Sequence, residues 1–296
     1  MNASHVHTEN AYRSLSETTE LDDPRWAFGT GIVEEEGAEL SSPVPSGVDA
    51  TDLAAYCLML GDDALVLQHR LSEWVANAPE LEEEVALANI ALDLLGQARV
   101  LLGRAGHLLG SDEDDLAYLR TENEFRNVRL VEPSDELDFA HCIARLLLFS
   151  TWRLALLQRL QQSADPVLAA VAAKGVKEVA YHRDYAVRWT LRLGDGTAHS
   201  HERMQAGLVA VWPYYDELFR STEIECRVGV DPAGLRAEVD DVLDQVLAAA
   251  TLERPTIPGA FTVGGRAGRE GLHTEKLGLV LAELQSIARQ HPGATW

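Results

Sequence analysis

Apolar residues recur every three to four positions through most of the chain, which is the period of an amphipathic helix. From about residue 48 to residue 194 this period continues through long stretches rich in Ala and Leu, with breaks at Pro or Gly. No stretch alternates between apolar and polar residues as a strand does. The pattern therefore predicts an all-α chain. We expect helices at residues 51–78, 80–109, 134–162, 166–194, 198–220, 232–252 and 274–290.

The lengths of these helices favour one architecture. Helices of roughly 25–30 residues joined by short breaks are typical of an antiparallel bundle. Residues 1–47 differ, because they hold two arginines against nine acidic residues and show no sustained helical period. We therefore predict a disordered acidic extension at residues 1–47 and a helical bundle domain at residues 48–296. The turn-forming residues of the segment 253–273 predict a surface loop.

The formal net charge of −22 narrows the kinds of partner that the chain can bind. Nucleic acids and anionic membranes require clustered Lys and Arg, so the acidic excess argues against both. The three cysteines are far apart and form no CxxC pair, which argues against a disulfide framework and a zinc-thiolate site. No signal peptide or membrane span is expected either. These features predict a cytoplasmic protein.

Three of the long helices carry polar side chains on stripes that a bundle should bury. The segment VALANIALDLLGQ is apolar apart from Asn89, Asp93 and Gln97, whose i, i+4, i+8 spacing places them on one face. On two other helices, Asp63 lies between leucines and His182 lies on a mostly apolar stripe. Buried polar groups need partners, so we expect these side chains to meet inside the bundle.

The same positions resemble a di-iron site that has lost ligands. Carboxylate-bridged di-iron sites use a Glu-x-x-His pair on each of two helices, with about four carboxylates and two histidines in total. After Asp93, the histidine position is occupied by Gly96. Before His182, the carboxylate position is occupied by Val179. Because only Asp63, Asp93 and His182 remain as ligands, we predict a degenerate site without a metal.

A buried aspartate without a metal requires another source of positive charge. We expect arginines such as Arg99 or Arg145 to supply it, together with His182. Two other interpretations stay open. The chain could be a free-standing di-iron oxygenase or oxidase, with atypical ligands drawn from Asp62, Asp63, Asp93, Glu178 and His182. It could also be a helical binding module unrelated to oxygenases.

Five segments carry a resemblance to a known family: YCLMLGDDALVLQHRLSEW (56–74), ELEEEVALANIALDLLGQARVLL (80–102), TENEFRNVRLVE (121–132), KEVAYHRDYAVRW (177–189) and GREGLHTEKLGLVLAELQSIARQHPGATW (268–296). On these segments the chain resembles the structural subunits of bacterial phenylacetyl-CoA epoxidase, a multicomponent monooxygenase of phenylacetate degradation. The resemblance covers residues 52–296.

The resemblance implies a ferritin-like antiparallel bundle with additional C-terminal helices. It implies that this chain holds no cofactor and no catalytic residue, and that it forms a hetero-oligomer with a homologous catalytic subunit that holds the di-iron centre. A reductase would be a further component of the assembly.

One aromatic segment is a candidate for the partner interface. Residues 207–219, GLVAVWPYYDELF, are unusually aromatic for a soluble helix. Aromatic clusters often anchor interfaces, and they also fill cores. The sequence leaves both readings open for Trp212, Tyr214, Tyr215 and Phe219.

Overall fold

The computed structural model describes residues 39–134, 138–260, 262–292 and 294, and in these residues it contains helices and no β-strand. The predicted all-α class is therefore confirmed. The α-helices are α1 (Ala50–Ser72), α2 (Leu81–Leu109), α3 (Glu113–Tyr118), α4 (Phe139–Leu160), α5 (Pro166–Gly194), α6 (Ala198–Val211), α7 (Glu223–Val228), α8 (Arg236–Ala249), α9 (Glu275–Leu284) and α10 (Ser286–Gln290). Short 3₁₀ segments lie at Glu122–Glu124, Arg129–Val131, Trp212–Tyr214, Asp216–Phe219, Pro232–Leu235 and Gly268–Glu270.

Four long helices form the bundle. α1 packs along α2, α4 packs along α5, and contacts between α2 and α5 join the two pairs. α4 is almost completely buried, and α6 and α8 cover it from outside. α2 and α4 are long and apolar enough to cross a membrane by length and composition, but the apolar part of α4 is nearly all inside this fold. It is the central helix of the core.

The ends of the long helices follow from local chemistry. The Asp165 side chain accepts hydrogen bonds from the first free N–H groups of α5, and Pro166 stands at the position where a missing N–H costs nothing. At the other end of α2, Gly110 takes a left-handed conformation with φ 74°, which stops the helix. These ends match the predicted boundaries at residues 109 and 166.

Several predicted helices are longer than the observed ones, and the predictions for α1 and α6 run furthest past the observed ends. α1 ends at Ser72 rather than at residue 78, because the chain then enters a turn in which Ala76 has a positive φ of 65°. α6 ends at Val211 rather than at residue 220. Pro213 has no N–H to donate to the helix, and the chain continues in 3₁₀ turns.

The segment 253–273, predicted to be a surface loop, is not wholly on the surface. It contains the 3₁₀ turn Gly268–Glu270, and Arg269 in that turn is buried. After it, the predicted helix 274–290 is divided into α9 and α10 at Gln285. The buried Gln285 amide donates hydrogen bonds to the carbonyl groups of Ala117 and Arg120.

The predicted extension at residues 1–47 lies largely outside the described residues, which begin at residue 39. The part that is described contacts the bundle. Arg104 in α2 is fully buried, and it donates hydrogen bonds to the carbonyl groups of Leu40 and Ser42. The same guanidinium forms a 2.7 Å ion pair with Asp165. The structured part of the chain therefore begins before residue 48.

Candidate functional site

Two residues of the predicted degenerate site, Asp93 on α2 and His182 on α5, meet at the interface between these helices. His182 Nε2 lies 3.0 Å from Asp93 Oδ2. The imidazole is buried, whereas the Asp93 side chain is 36% exposed. The pair thus reaches from the bundle interior to its surface, and the predicted contact of Asp93 with His182 is present.

A second polar contact lies about one turn along the same interface. Gln97 donates a 3.0 Å hydrogen bond to Glu178, and Lys174 lies 3.5 Å from the same carboxylate. Burial raises the pKa of Glu178, and the nearby negative charge of Asp93 raises it further. Glu178 is thus placed beside Asp93, but its hydrogen bond is to an amide.

The two positions where ligands are missing have different surroundings. Val179 is completely buried among apolar side chains. Gly96 is exposed on α2, and a methyl group placed there would contact no atom within 4 Å. Neither residue offers a side-chain atom that could bind a metal.

Asp63 in α1 is fully buried and is held by two arginines. Arg269 contacts it in a bidentate manner, with Nη1–Oδ1 and Nη2–Oδ2 distances of 3.0 and 2.9 Å. Arg153 Nη1 lies 3.8 Å from Oδ2, and the Val128 N–H donates a 2.8 Å hydrogen bond to Oδ1. Burial raises the pKa of Asp63, and the charges of Arg269 and Arg153 oppose this rise. Because Arg269 and the Val128 N–H donate hydrogen bonds to the carboxylate and Arg153 adds a nearby positive charge, the arrangement suits its ionised form.

The arginines that neutralise Asp63 are not those expected from the sequence. Arg99 forms a surface ion pair with Glu113 at 3.0 Å. Arg145 donates to the carbonyl group of Pro133, which precedes α4 in the chain. The prediction that Arg99 or Arg145 serves the buried aspartates is therefore wrong in its choice of residues, although the predicted type of partner is present.

The sequence could not identify Arg269 as the partner of Asp63, because Arg269 is 206 residues away and lies in a segment with the composition of a loop. Arg153, in contrast, could have been predicted from the sequence as a partner of a buried carboxylate. It is an arginine in the middle of a leucine-rich helix, and such a residue needs a buried acceptor.

Two more buried ion pairs lie beside this one. Asp62 accepts hydrogen bonds from the Arg120 guanidinium and from the Arg126 backbone N–H. His273 Nδ1 lies 2.7 Å from Glu132, and both side chains are fully buried. The other ring nitrogen of His273 faces the Phe125 carbonyl group at 3.0 Å. Both ring nitrogens of His273 therefore have a hydrogen-bond partner inside the protein.

The residues at these positions do not fit the ligand set of a carboxylate-bridged di-iron centre. Asp62 and Asp63 are already bonded to guanidinium groups, and Val179 and Gly96 supply no ligand atom. Within the described ranges, no group of three or more His, Cys, Asp or Glu residues is placed to hold a metal ion. These side chains can instead hold buried charge in fixed ion pairs.

The aromatic residues proposed for the interface pack within the chain itself. Trp212, Tyr215 and Phe219 are buried, and Trp212 stacks on Tyr215 with 4.9 Å between ring centroids. The guanidinium of Arg254 lies 5.2 Å from the Trp212 ring. Tyr214 is half-buried. Three of the four candidates therefore fill the core and cannot anchor a partner.

Comparison with known proteins identifies the family to which the chain is related. The sequence matches the phenylacetic acid catabolic protein family over residues 44–296. It is also 45% identical, over 250 residues, to the C subunit of the 1,2-phenylacetyl-CoA epoxidase of Escherichia coli strain K12. That similarity covers 82% of this chain and 99% of the relative. The chain therefore belongs to the phenylacetic acid catabolic protein family.

Proposed function

We propose that the chain is a non-catalytic, structural subunit of a bacterial 1,2-phenylacetyl-CoA epoxidase that acts in phenylacetate degradation. It supports a homologous catalytic subunit, and that partner holds the di-iron centre. A reductase is a further component, and the assembly is cytoplasmic. The family and the similarity to an epoxidase subunit support this proposal.

The two arginines around Asp63 are the observation that most supports a non-catalytic role. In a di-iron bundle, metal ions balance the charge of the buried carboxylates. Here two guanidinium groups face the carboxylate of Asp63. Positive side chains at this position repel a metal cation and compensate the aspartate without it. A bundle stabilised in this way keeps its shape while contributing no reactive centre.

Metal analysis tests the proposal. The chain is purified alone and after co-expression with the catalytic subunit, and iron and molecular mass are measured on both samples. We expect the lone chain to be free of iron and the complex to carry about two irons per pair of subunits. His182→Ala should leave the iron content of the complex unchanged. His201→Ala serves as the matched control, because the His201 ring contacts the Gly194 carbonyl group and not a carboxylate among the described residues.

The two other interpretations predict different results. A free-standing di-iron enzyme would carry about two irons in the lone chain and would lose them in His182→Ala. A binding module unrelated to oxygenases would form no complex with the catalytic subunit. Either result would overturn the proposed function.

A further inference from the structure

Three arginines contact one turn of the C-terminal segment, residues 263–271. Arg220 and Arg266 donate hydrogen bonds to backbone carbonyl groups of this turn. Arg126 approaches the turn from the segment after α3, and its Nη1 lies 2.9 Å from the position that a β-carbon on Gly271 would occupy. We refer to Arg126, Arg220 and Arg266 as the arginine cluster.

The arginine cluster has little negative charge to balance it. The Glu270 carboxylate lies 3.8 Å from Arg220, and it also accepts a 2.8 Å hydrogen bond from the Ala267 N–H. Arg126 and Arg266 donate to backbone carbonyl groups, and neither forms an ion pair with a residue that the structure describes. The chain has 47 acidic residues against 25 basic ones, so two neighbouring guanidinium groups without a carboxylate are unusual in it.

The other carboxylates near Arg126 are already engaged. Asp62 pairs with Arg120, and Glu124 accepts hydrogen bonds within its own turn. Burial lowers the pKa of Arg126; the charge of Asp62 opposes this effect, whereas the positive charges of Arg120 and Arg266 add to it. An anion bound at the cluster would offset both the burial and the repulsion between like charges.

The cluster is accessible and keeps hydrogen-bonding capacity. Arg266 is exposed, and Gly264 and Gly265 at the tip of the turn have positive φ angles of 59° and 79°. A turn of two glycines carries no side chain that would cover the neighbouring guanidinium groups. Arg220 Nη1 is buried and has no hydrogen-bond partner within the described part of the chain. A buried N–H group without an acceptor is rare in a folded protein, and a bound acceptor would satisfy it.

A cavity of about 430 Å³ lies next to the cluster. Asn123 lines this cavity, and its carbonyl group accepts a 2.7 Å hydrogen bond from Arg126. Thr121, Leu281 and Ser286 also line it. The volume is within the range of small-molecule sites, so a ligand larger than a single anion has room beside the arginines.

We infer that the arginine cluster binds a phosphate group, either of free phosphate or of a phosphate ester whose remainder lies in the adjacent cavity. Guanidinium groups match the geometry of phosphate oxygens and bind them through paired, charge-assisted hydrogen bonds. Three arginines beside a single carboxylate leave a local positive charge that a phosphate dianion balances. The inference concerns residues outside the degenerate site and does not depend on the proposed function.

The test is isothermal titration calorimetry of the full chain with inorganic phosphate and, separately, with ADP as a phosphate ester. Arg266→Gln removes an exposed charge of the cluster and should weaken phosphate binding about tenfold, as expected for the loss of a charge-assisted hydrogen bond. Arg188→Gln is the matched control, since Arg188 is an exposed arginine of α5 that pairs with Asp184. It should bind phosphate like the natural chain.

Glu270→Gln supplies a second measurement with an effect of opposite sign. The amide oxygen of glutamine can still accept from the Ala267 N–H, so the turn is preserved while its negative charge is removed. We expect this variant to bind phosphate about two- to fivefold more tightly than the natural chain. Weaker binding by Glu270→Gln would contradict an anion at the cluster.

The two titrations distinguish the source of the phosphate group. Tighter binding of ADP than of inorganic phosphate would identify a phosphate ester as the ligand class, and equal binding would identify free phosphate. If neither compound binds at millimolar concentration, the inference fails. It also fails if Arg266→Gln and Arg188→Gln weaken binding equally, because the effect would then come from the overall charge of the chain. None of these results changes the iron content on which the proposed function is tested.

Discussion

The buried carboxylate of Asp63 shows how one residue depends on distant ones. Transfer of a carboxylate from water to the protein interior costs several kcal/mol, and the partners of the carboxylate must offset that cost. Arg269 makes two hydrogen bonds to it in the favourable bidentate geometry, whereas Arg153 approaches only to 3.8 Å. The two arginines are therefore unequal, and Arg269 is the principal partner.

We predict that Arg269→Leu destabilises the protein by about 3–5 kcal/mol, because it leaves the buried carboxylate without its bidentate partner. The measurement is urea unfolding followed by circular dichroism. Arg153→Leu should cost less, since its contact with Asp63 is longer. Arg99→Leu is the control and should change stability by less than about 1 kcal/mol, because its ion pair with Glu113 is exposed. Equal effects of all three variants would contradict the assignment.

Among the helices, the sequence predicts best where a boundary depends on local chemistry. Pro166 and Gly110 mark the start of α5 and the end of α2, and both act through the backbone of the residues beside them. The end of α1 at Ser72 could not be predicted in this way. The chain up to Pro79 has an acceptable helical composition, but the turn that follows Ser72 contains the buried Trp74, whose ring packs edge-on against Phe139 of α4, a residue distant in sequence.

Gly110→Ala should destabilise the protein by about 1 kcal/mol, because an alanine is strained at the positive φ that ends α2. Thermal unfolding measures the effect. The matched control is Gly234→Ala, since Gly234 has open space around it and no positive φ. Its melting temperature should stay within the range of an ordinary surface substitution. A larger loss in Gly234→Ala than in Gly110→Ala would mean that φ does not determine the cost.

At the scale of the whole molecule, segments far apart in sequence meet at α1. The segment 121–132 and the segment 268–278 both carry the family resemblance, and they are connected by Arg269, which donates to the Arg126 carbonyl group, and by the His273–Glu132 pair. The sequence could identify these segments as specific to the family. It could not predict that they pair, because nothing in the composition of either segment indicates its partner.

The C-terminal residues therefore belong to the folding unit, although the four long helices end at residue 194. We predict that a chain ending at residue 252 does not fold cooperatively, because it lacks both Arg269 and His273 and leaves Asp63 and Glu132 buried without them. The loss is comparable with the total stability of a domain, about 5–15 kcal/mol. Calorimetry and size-exclusion chromatography of the shortened chain measure it.

A chain ending at residue 290 is the control for this truncation. It retains α10, whose residues are not buried but include Arg289, a donor to the Arg120 carbonyl group. Its melting temperature should be close to that of the full chain. If the chain ending at residue 252 also showed a sharp unfolding transition, the four-helix bundle would be stable by itself. The buried ion pairs would then determine the position of the C-terminal segment without holding the bundle together.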